Sequence, residues 1–223
     1  MYLLALLKSI AKVIKFGYLR ALLTVFFCKQ ADLRDNLVTL QVVKRVRERL
    51  FYLYNMEIKV HEQDIIRAAS EGMDAFLMLI HDRIMEGIGG RLDDTTMPLL
   101  NGNQITLLAY VMFREEVMDG GFVQLIHNGY GPFIFLNPFA KAMRLWGAHD
   151  FSNLVYKARR LYEKYEKPLT RECTDEEFMA LFEQYPEFDD LDDAFVEMEE
   201  DVTDIICHYV DNHLDDFIEV QKN

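Results

Sequence analysis

Asp189-Asp190-Leu191-Asp192-Asp193-Ala194-Phe195-Val196-Glu197-Met198-Glu199-Glu200-Asp201-Val202-Thr203-Asp204-Ile205-Ile206 is the stretch that decides the fold class. Its apolar residues recur at three and four, the period of a helix, and never alternate as a strand would. Projected at about 100° per residue, Leu191, Phe195, Met198, Val202, Ile205 and Ile206 take one side, joined further on by Tyr209 and Phe217. Asp193, Glu197, Glu200, Asp204, Asp211 and Asp215 fall in a narrow arc opposite, with Asp189, Asp190, Asp201 and Glu219 beside it. The spacing therefore predicts one amphipathic helix over 189–220, with a core face and a carboxylate ridge. At about 1.5 Å rise per residue, the ridge charges stand roughly 4.5–6 Å apart.

Around this helix the one-sided charge extends. From Glu172 to Glu219 there are 19 Asp and Glu and no Lys or Arg. Like charges at i,i+4 cost a helix about as much as Glu–Lys pairs give it, so a run of one sign gives up stability. Phe178, Leu181, Phe182, Leu191, Phe195, Val202, Ile205, Ile206, Tyr209, Phe217 and Ile218 thread through it. Acidic disordered tails lack such residues, so the segment should fold and present a rigid negative surface. Duplex DNA carries one phosphate per about 3.4 Å of axis on each strand. One ridge alone is sparser, and a second acidic element would be needed; Glu172, Asp175, Glu176, Glu177, Glu183 and Glu187 are placed to supply it. A plain solvated face is the competing reading, as is a ridge neutralised by the chain's own basic N-terminal segment.

Helical periodicity continues through the rest of the chain, at roughly 2–27, 32–55, 62–86, 103–119, 122–128, 133–147, 150–166 and 174–184. Asn103 is placed to cap the helix at 103–119, and Thr174 with Glu177 forms a capping box. Pro132 and Pro138 mark the start of the helix at 133–147, and Pro168 falls between two helices. The fold class expected is all-α, a multi-helix bundle with short loops and no significant sheet. The Gly-rich loop at 87–102 suggests a division into an N-terminal helical extension, 1–90, and an acidic helical domain, 91–223.

Composition narrows the function. Of 223 residues 51% are apolar, enough for a core. The net charge of −13 is asymmetric: residues 1–50 hold ten Lys and Arg against three acids, and residues 51–223 hold fourteen against thirty-four. So negative a main domain argues against direct nucleic-acid binding and for a basic partner. The N-terminus lacks the basic n-region and the cleavage site of a signal peptide. Lys8, Lys12, Lys15 and Arg20 interrupt any membrane span. Lys8, Lys12 and Lys15 share one helix face opposite Leu3, Leu6, Ile10, Val13 and Ile14. Such a helix packs on its own protein or lies on an anionic membrane, so residues 1–27 offer a peripheral contact at the inner membrane surface. The three cysteines, Cys28, Cys173 and Cys207, have no metal spacing and fit a reducing, cytoplasmic setting.

Signatures of chemistry are absent from the sequence. Asp189–Asp193 does not place oxygens at EF-hand positions and lacks the turn glycine. His208 and His213 are five apart, off a common helix face. No phosphate-binding glycine loop and no nucleophile elbow occurs, and neither metal nor cofactor is expected. Trp146, Tyr130 and Phe133 read as core.

Arg114–Gly131 is the most distinctive string. Gly120-Gly121 ends a helix, Phe122–Asn128 forms a short second one, and Asn128-Gly129 turns the chain. Gln124 and Asn128, one turn apart, are expected to bond to the backbone of the tight turns. The string reads as a structural corner; Glu115, Glu116 and His127 are the only groups there on which an active site would rest. An acidic helix leading into Gly120-Gly121-Phe122-x-Gln124, then Asn128-Gly129, resembles the bacterial DNA-mimic protein family. Lys157-Ala158, Leu191-Asp192-Asp193-Ala194-Phe195 and Tyr209-Val210 continue the likeness, which covers roughly 100–220. The resemblance implies an all-α fold, a tendency to form a homodimer, and occupation of the basic surface of a DNA-binding protein or transcription regulator. The family's acids follow no fixed motif, so the ridge of Asp189, Asp190, Asp193, Glu197, Glu200, Asp201, Asp204, Asp211 and Asp215 is assigned here from spacing. The expected protein is a non-enzymatic acidic interaction module. A membrane-surface adaptor held by residues 1–27 is the alternative, and a small helical enzyme using the 114–131 corner is a third.

Overall fold

Helical periodicity becomes eight α-helices among residues 58–222, which the computed structural model describes. They are α1 (Glu62–Glu71), α2 (Met73–Gly87), α3 (Gly102–His127), α4 (Gly131–Phe135), α5 (Phe139–Leu145), α6 (His149–Leu169), α7 (Asp175–Gln184) and α8 (Asp189–Asn212). Met97–Leu99, Pro186–Phe188 and Leu214–Asp216 form single 3-10 turns. The fold class is all-α. Its only sheet among these residues is a parallel pair of three-residue strands, β1 (Lys59–His61) and β2 (Glu219–Gln221), with Lys59 opposite Glu219. The helices expected at 2–27 and 32–55, and with them the basic membrane-facing helix, lie outside the described residues.

Contacts set Met56–Asn223 apart as one compact unit. Residues 62–87, on the N-terminal side of the division expected at 90/91, send Phe76, Leu77, Ile80 and Ile84 into the same core as α3, α6 and α8. That core centres on Phe113, which is fully buried and meets the rings of Phe122, Phe151 and Phe195 edge-on at 5.0–5.4 Å. Phe139 stands 6.2 Å away. One ring of α3 thus ties together α5, α6, α8 and the far arm of α3 itself, in the offset geometries that aromatic quadrupoles favour. Trp146 stacks on Tyr209 at 4.4 Å and is buried as expected, whereas Tyr130 and Phe133 are half-buried at its edge.

Several boundaries depart from the periodic reading, each for a local reason. The helix expected at 62–86 breaks at Gly72, whose φ of 132° no other residue type adopts easily. The helix expected at 133–147 is two, separated at Leu136–Pro138, where Pro138 lacks the N–H a continuing helix needs. Pro168 sits in the last turn of α6 instead of between helices. Asn101, not Asn103, caps α3: its side chain accepts from the N–H groups of Asn103 and Gln104, and Gln104 returns the bond. The Thr174–Glu177 box at α7 is present. The helix expected over 189–220 stops at Asn212. Beyond it the chain folds back so that Phe217 and Ile218 are buried, and Gln104 Nε2 donates to the Phe217 carbonyl at 2.8 Å.

The two helices expected at 103–119 and 122–128 are the two arms of α3, joined through a kink. Gly120 has φ −151° and ψ 26°, and Gly121 has φ 68° and ψ −174°, a region open essentially to glycine alone. The kink frees the Phe122 N–H from the helix, and Asp192 Oδ1 accepts it at 2.8 Å. A Cβ on Gly121 would sit 2.5 Å from Asp192 Oδ2. Gly121→Ala is therefore expected to cost about 2–3 kcal/mol, summing strained backbone and steric conflict. Gly129→Ala meets nothing within 4 Å at φ 85° and should cost about 1 kcal/mol. Chemical denaturation of the two variants checks the ordering.

Candidate functional site

The acidic residues of α8 divide by direction. Asp189, Asp190, Asp193, Glu197, Glu200, Asp201 and Asp211 are exposed, and Asp204 is half-buried. Asp215 is exposed but stands in the 3-10 turn past the helix end, and Glu219 lies on β2, so the continuous ridge ends at Asp211. Among the described residues none of these carboxylates pairs with a Lys or Arg. Asp204 instead meets His208 at 3.2 Å. His208 is exposed within the ridge itself, and the Asp204 carbonyl, then its carboxylate, hold the imidazole above its ordinary pKa. A docking of residues 1–50 onto the ridge concerns a segment outside the described residues.

Two carboxylates of α8 point inward. Glu199 is buried and accepts from Arg114 Nε and, at 2.9 Å, from Thr203 Oγ1. Arg114 Nη1 also reaches Asp74 Oδ1 on α2 at 2.7 Å, and Tyr110 Oη lies 2.7 Å from Thr203 Oγ1. Thr203 donates its hydroxyl proton to Glu199, so the Tyr110 hydroxyl donates to Thr203 Oγ1; burial keeps the phenol protonated well above its usual range. Arg114 thus joins α2, α3 and α8 through one guanidinium fork. Asp192, the second inward group, accepts the Phe122 N–H at the α3 kink. Burial pushes its pKa up to about 6 against that hydrogen bond, and Asp189 and Asp193 add to the rise. Neither residue belongs to the ridge by spacing. Relative to Glu197, Asp192 and Glu199 project at about 200–220°, on the core side, which is the signal in the sequence that marks them.

Gly120, Gly121, Phe122, Gln124, Asn128 and Gly129 form one corner with a polar outer face. Gln124 and Asn128 do not bond the turn backbone as expected. Gln124 Nε2 donates to Asp119 Oδ2 at 2.8 Å and Asn128 Nδ2 to Glu116 Oε2 at 2.8 Å, because the kink turns both amides toward the carboxylates of the preceding arm. His127 Nδ1 bonds the Leu169 carbonyl at 2.9 Å, and its ring packs against Phe178 at 4.6 Å. Glu116 thus holds the two arms of α3 together, and His127 joins α3 to the end of α6.

The other acidic element is α7. Asp175, Glu176, Glu177 and Glu183 are exposed, while Leu181 is buried and Phe178 and Phe182 are half-buried beneath them. Glu187 differs. It accepts from the Tyr165 hydroxyl, which with Lys164 holds its carboxyl below the usual range, and Lys164 Nζ stands 3.6 Å away. Among the described residues no group of three or more His, Cys, Asp and Glu is arranged to hold a metal ion, and no helix is long and apolar enough to cross a membrane.

The all-α body that carries this acidic helix falls in a known class of proteins. The chain belongs to the DMP19-like protein family, whose model matches residues 99–213. It is similar to the DNA mimic protein DMP19 of Neisseria meningitidis serogroup B (strain ATCC BAA-335 / MC58), 32% identical over 128 residues. That match covers 57% of this chain and 78% of the relative. The matched span runs from the start of α3 to the end of α8, and so contains the kink, both inward carboxylates and the ridge.

The inward groups carry two expectations. Removing Glu199 leaves Arg114 with one partner in a largely buried place, so Glu199→Ala should cost about 2–3 kcal/mol in urea denaturation. For Asp192 the folded-state pKa lies above the unfolded one, so the folded state binds the extra proton and stability falls as pH rises from about 4 to about 6. Asp192→Asn keeps an acceptor for Phe122 and removes the charge. The variant is expected to be more stable than the parent at pH 7 and to lose that part of the pH dependence, as thermal melts across pH 4–7 measure.

Proposed function

We propose that this protein is a DNA mimic: it presents the exposed carboxylates of α8, with those of α7, to the basic surface of a DNA-binding protein. One observation carries the reading. Seven ridge carboxylates stand exposed on one helix, unpaired with any Lys or Arg among the described residues, in a member of a family that includes a DNA mimic. Like charges at i,i+3 and i,i+4 lower helix stability, and the core-facing acids of this helix each have a donor. The uncompensated ones fit a basic partner. Phosphate contacts dominate the affinity of most DNA-binding surfaces, so a rigid carboxylate array competes for the groups that DNA uses. Association is steered by the same charges.

The expected behaviour is competitive and salt-sensitive. A partner captured from the native cell should be displaced by duplex DNA and should dissociate steeply with ionic strength, since exposed charges are screened beyond about 8–10 Å near physiological salt. Replacing Glu197 and Glu200 with Gln and Asp201 with Asn removes three neighbouring charges while preserving shape. The fold should be unchanged or gain about 0.3 kcal/mol per relieved pair. Partner affinity should fall at least about tenfold, mainly through the association rate. Surface plasmon resonance with the captured partner measures both; a triple variant that binds as the parent does overturns the ridge assignment.

A further inference from the structure

A second face, mainly basic, stands apart from the acidic helices; the acid Glu163 beside it is paired with Arg159 at 2.8 Å. Lys157, Arg160, Lys164 and Lys167 follow one another on α6 at steps of three, four and three residues, and all four are exposed. Like charges at this spacing also cost a helix stability. Lys164 lies over the Tyr165 ring at 4.3 Å and reaches Glu187. Lys157, Arg160 and Lys167 enter no ion pair among the described residues. On α5, Lys141 and Leu145 are i,i+4 neighbours, and Arg144 Nη1 donates across to Asn153 Oδ1 at 3.2 Å, one turn before Lys157. A shallow cleft of about 160 Å³ separates α5 from α6, with buried Ile134, Phe135 and Val155 in its lining beside Lys141, Tyr156 and Arg159. Leu145 is 74% exposed, Leu136 58% and Tyr156 41%.

We propose that the α5–α6 face docks on an anionic lipid surface. Cationic side chains alone fit any polyanion, but the protruding aliphatic groups select among them. Leu136 and Leu145 gain nothing from a phosphate backbone, whereas at a bilayer they enter the boundary between headgroups and acyl chains, flanked by Lys and Arg at headgroup level. Tyr156, with an apolar ring and a polar tip, suits the same depth. The attraction acts within a Debye length of the surface, so the local sign of this face counts for more than the net charge of the chain. The surface shares no residue with the acidic ridge, and its test leaves the DNA-mimic reading untouched.

Flotation of the full-length protein with phosphatidylcholine vesicles, with and without phosphatidylglycerol, tests it. Binding is expected only to the anionic vesicles. Lys157→Gln with Arg160→Gln should weaken it roughly thirtyfold, at roughly fivefold per charge near the surface, and Leu145→Ser should weaken it several-fold with the charges intact. All three positions are exposed, and unchanged thermal melts confirm intact folding. Parent protein that ignores anionic vesicles, or variants that float as the parent does, overturn the proposal. Loss of binding to a soluble polyanion such as duplex DNA in the double variant, with Leu145→Ser silent on vesicles, also overturns it and assigns the face to nucleic acid.

Discussion

The Arg114–Glu199 pair is the constraint on which the arrangement depends. A helix with ten carboxylates and no Lys or Arg between Asp189 and Asp211 cannot enter a core unless the acids on its inner side find donors. Arg114 satisfies Glu199 and at the same time holds Asp74, so one cation fixes α8 and α2 against α3. Thr203 and Tyr110 complete the shell. Breaking such a pair costs more than the pair ever contributed, because the remaining charge stays buried. The network therefore acts less as a source of stability than as a specification of where α8 lies.

Asp192 performs the corresponding task about two helical turns earlier. It accepts the Phe122 N–H beside the Gly120-Gly121 kink. The two family segments that lie seventy residues apart, Gly-Gly-Phe and Leu-Asp-Asp-Ala-Phe, are thus one structural unit. The glycine admits the carboxylate, the carboxylate caps the kink, and Phe122 and Phe195 close on Phe113 behind it. That carboxylate is held at a cost visible in its raised pKa. It is a place where the fold gives up some stability to keep the long helix α3 bent.

Charge on α7 and α8 is of one sign, whereas α6 is mainly basic but keeps exposed Asp150, Glu163 and Glu166. The two regions meet where Lys164 faces Glu187. Mixed surfaces favour solubility and little else, while separated ones give each face a field of its own. Where α8 meets the core, each acid has a specific donor.

Much of this was written in the sequence. Periodicity alone gave the all-α class, because helical spacing of apolar residues leaves no alternative burial for these segments. It gave the Gly120-Gly121 break, the Thr174 cap and the outward arc from Asp189 to Asp211, since each depends on residues within one or two turns. It also held the sign that Asp192 and Glu199 face inward, though not what they would meet there. The partners required tertiary structure: Arg114 lies 85 residues from Glu199 and Phe122 lies 70 from Asp192, separations that no local pattern encodes. For the same reason spacing extended α8 to residue 220. Only the packed fold decided that Phe217 and Ile218 would be buried by turning the chain back, which ends the ridge at Asp211 and leaves Asp215 and Glu219 off it.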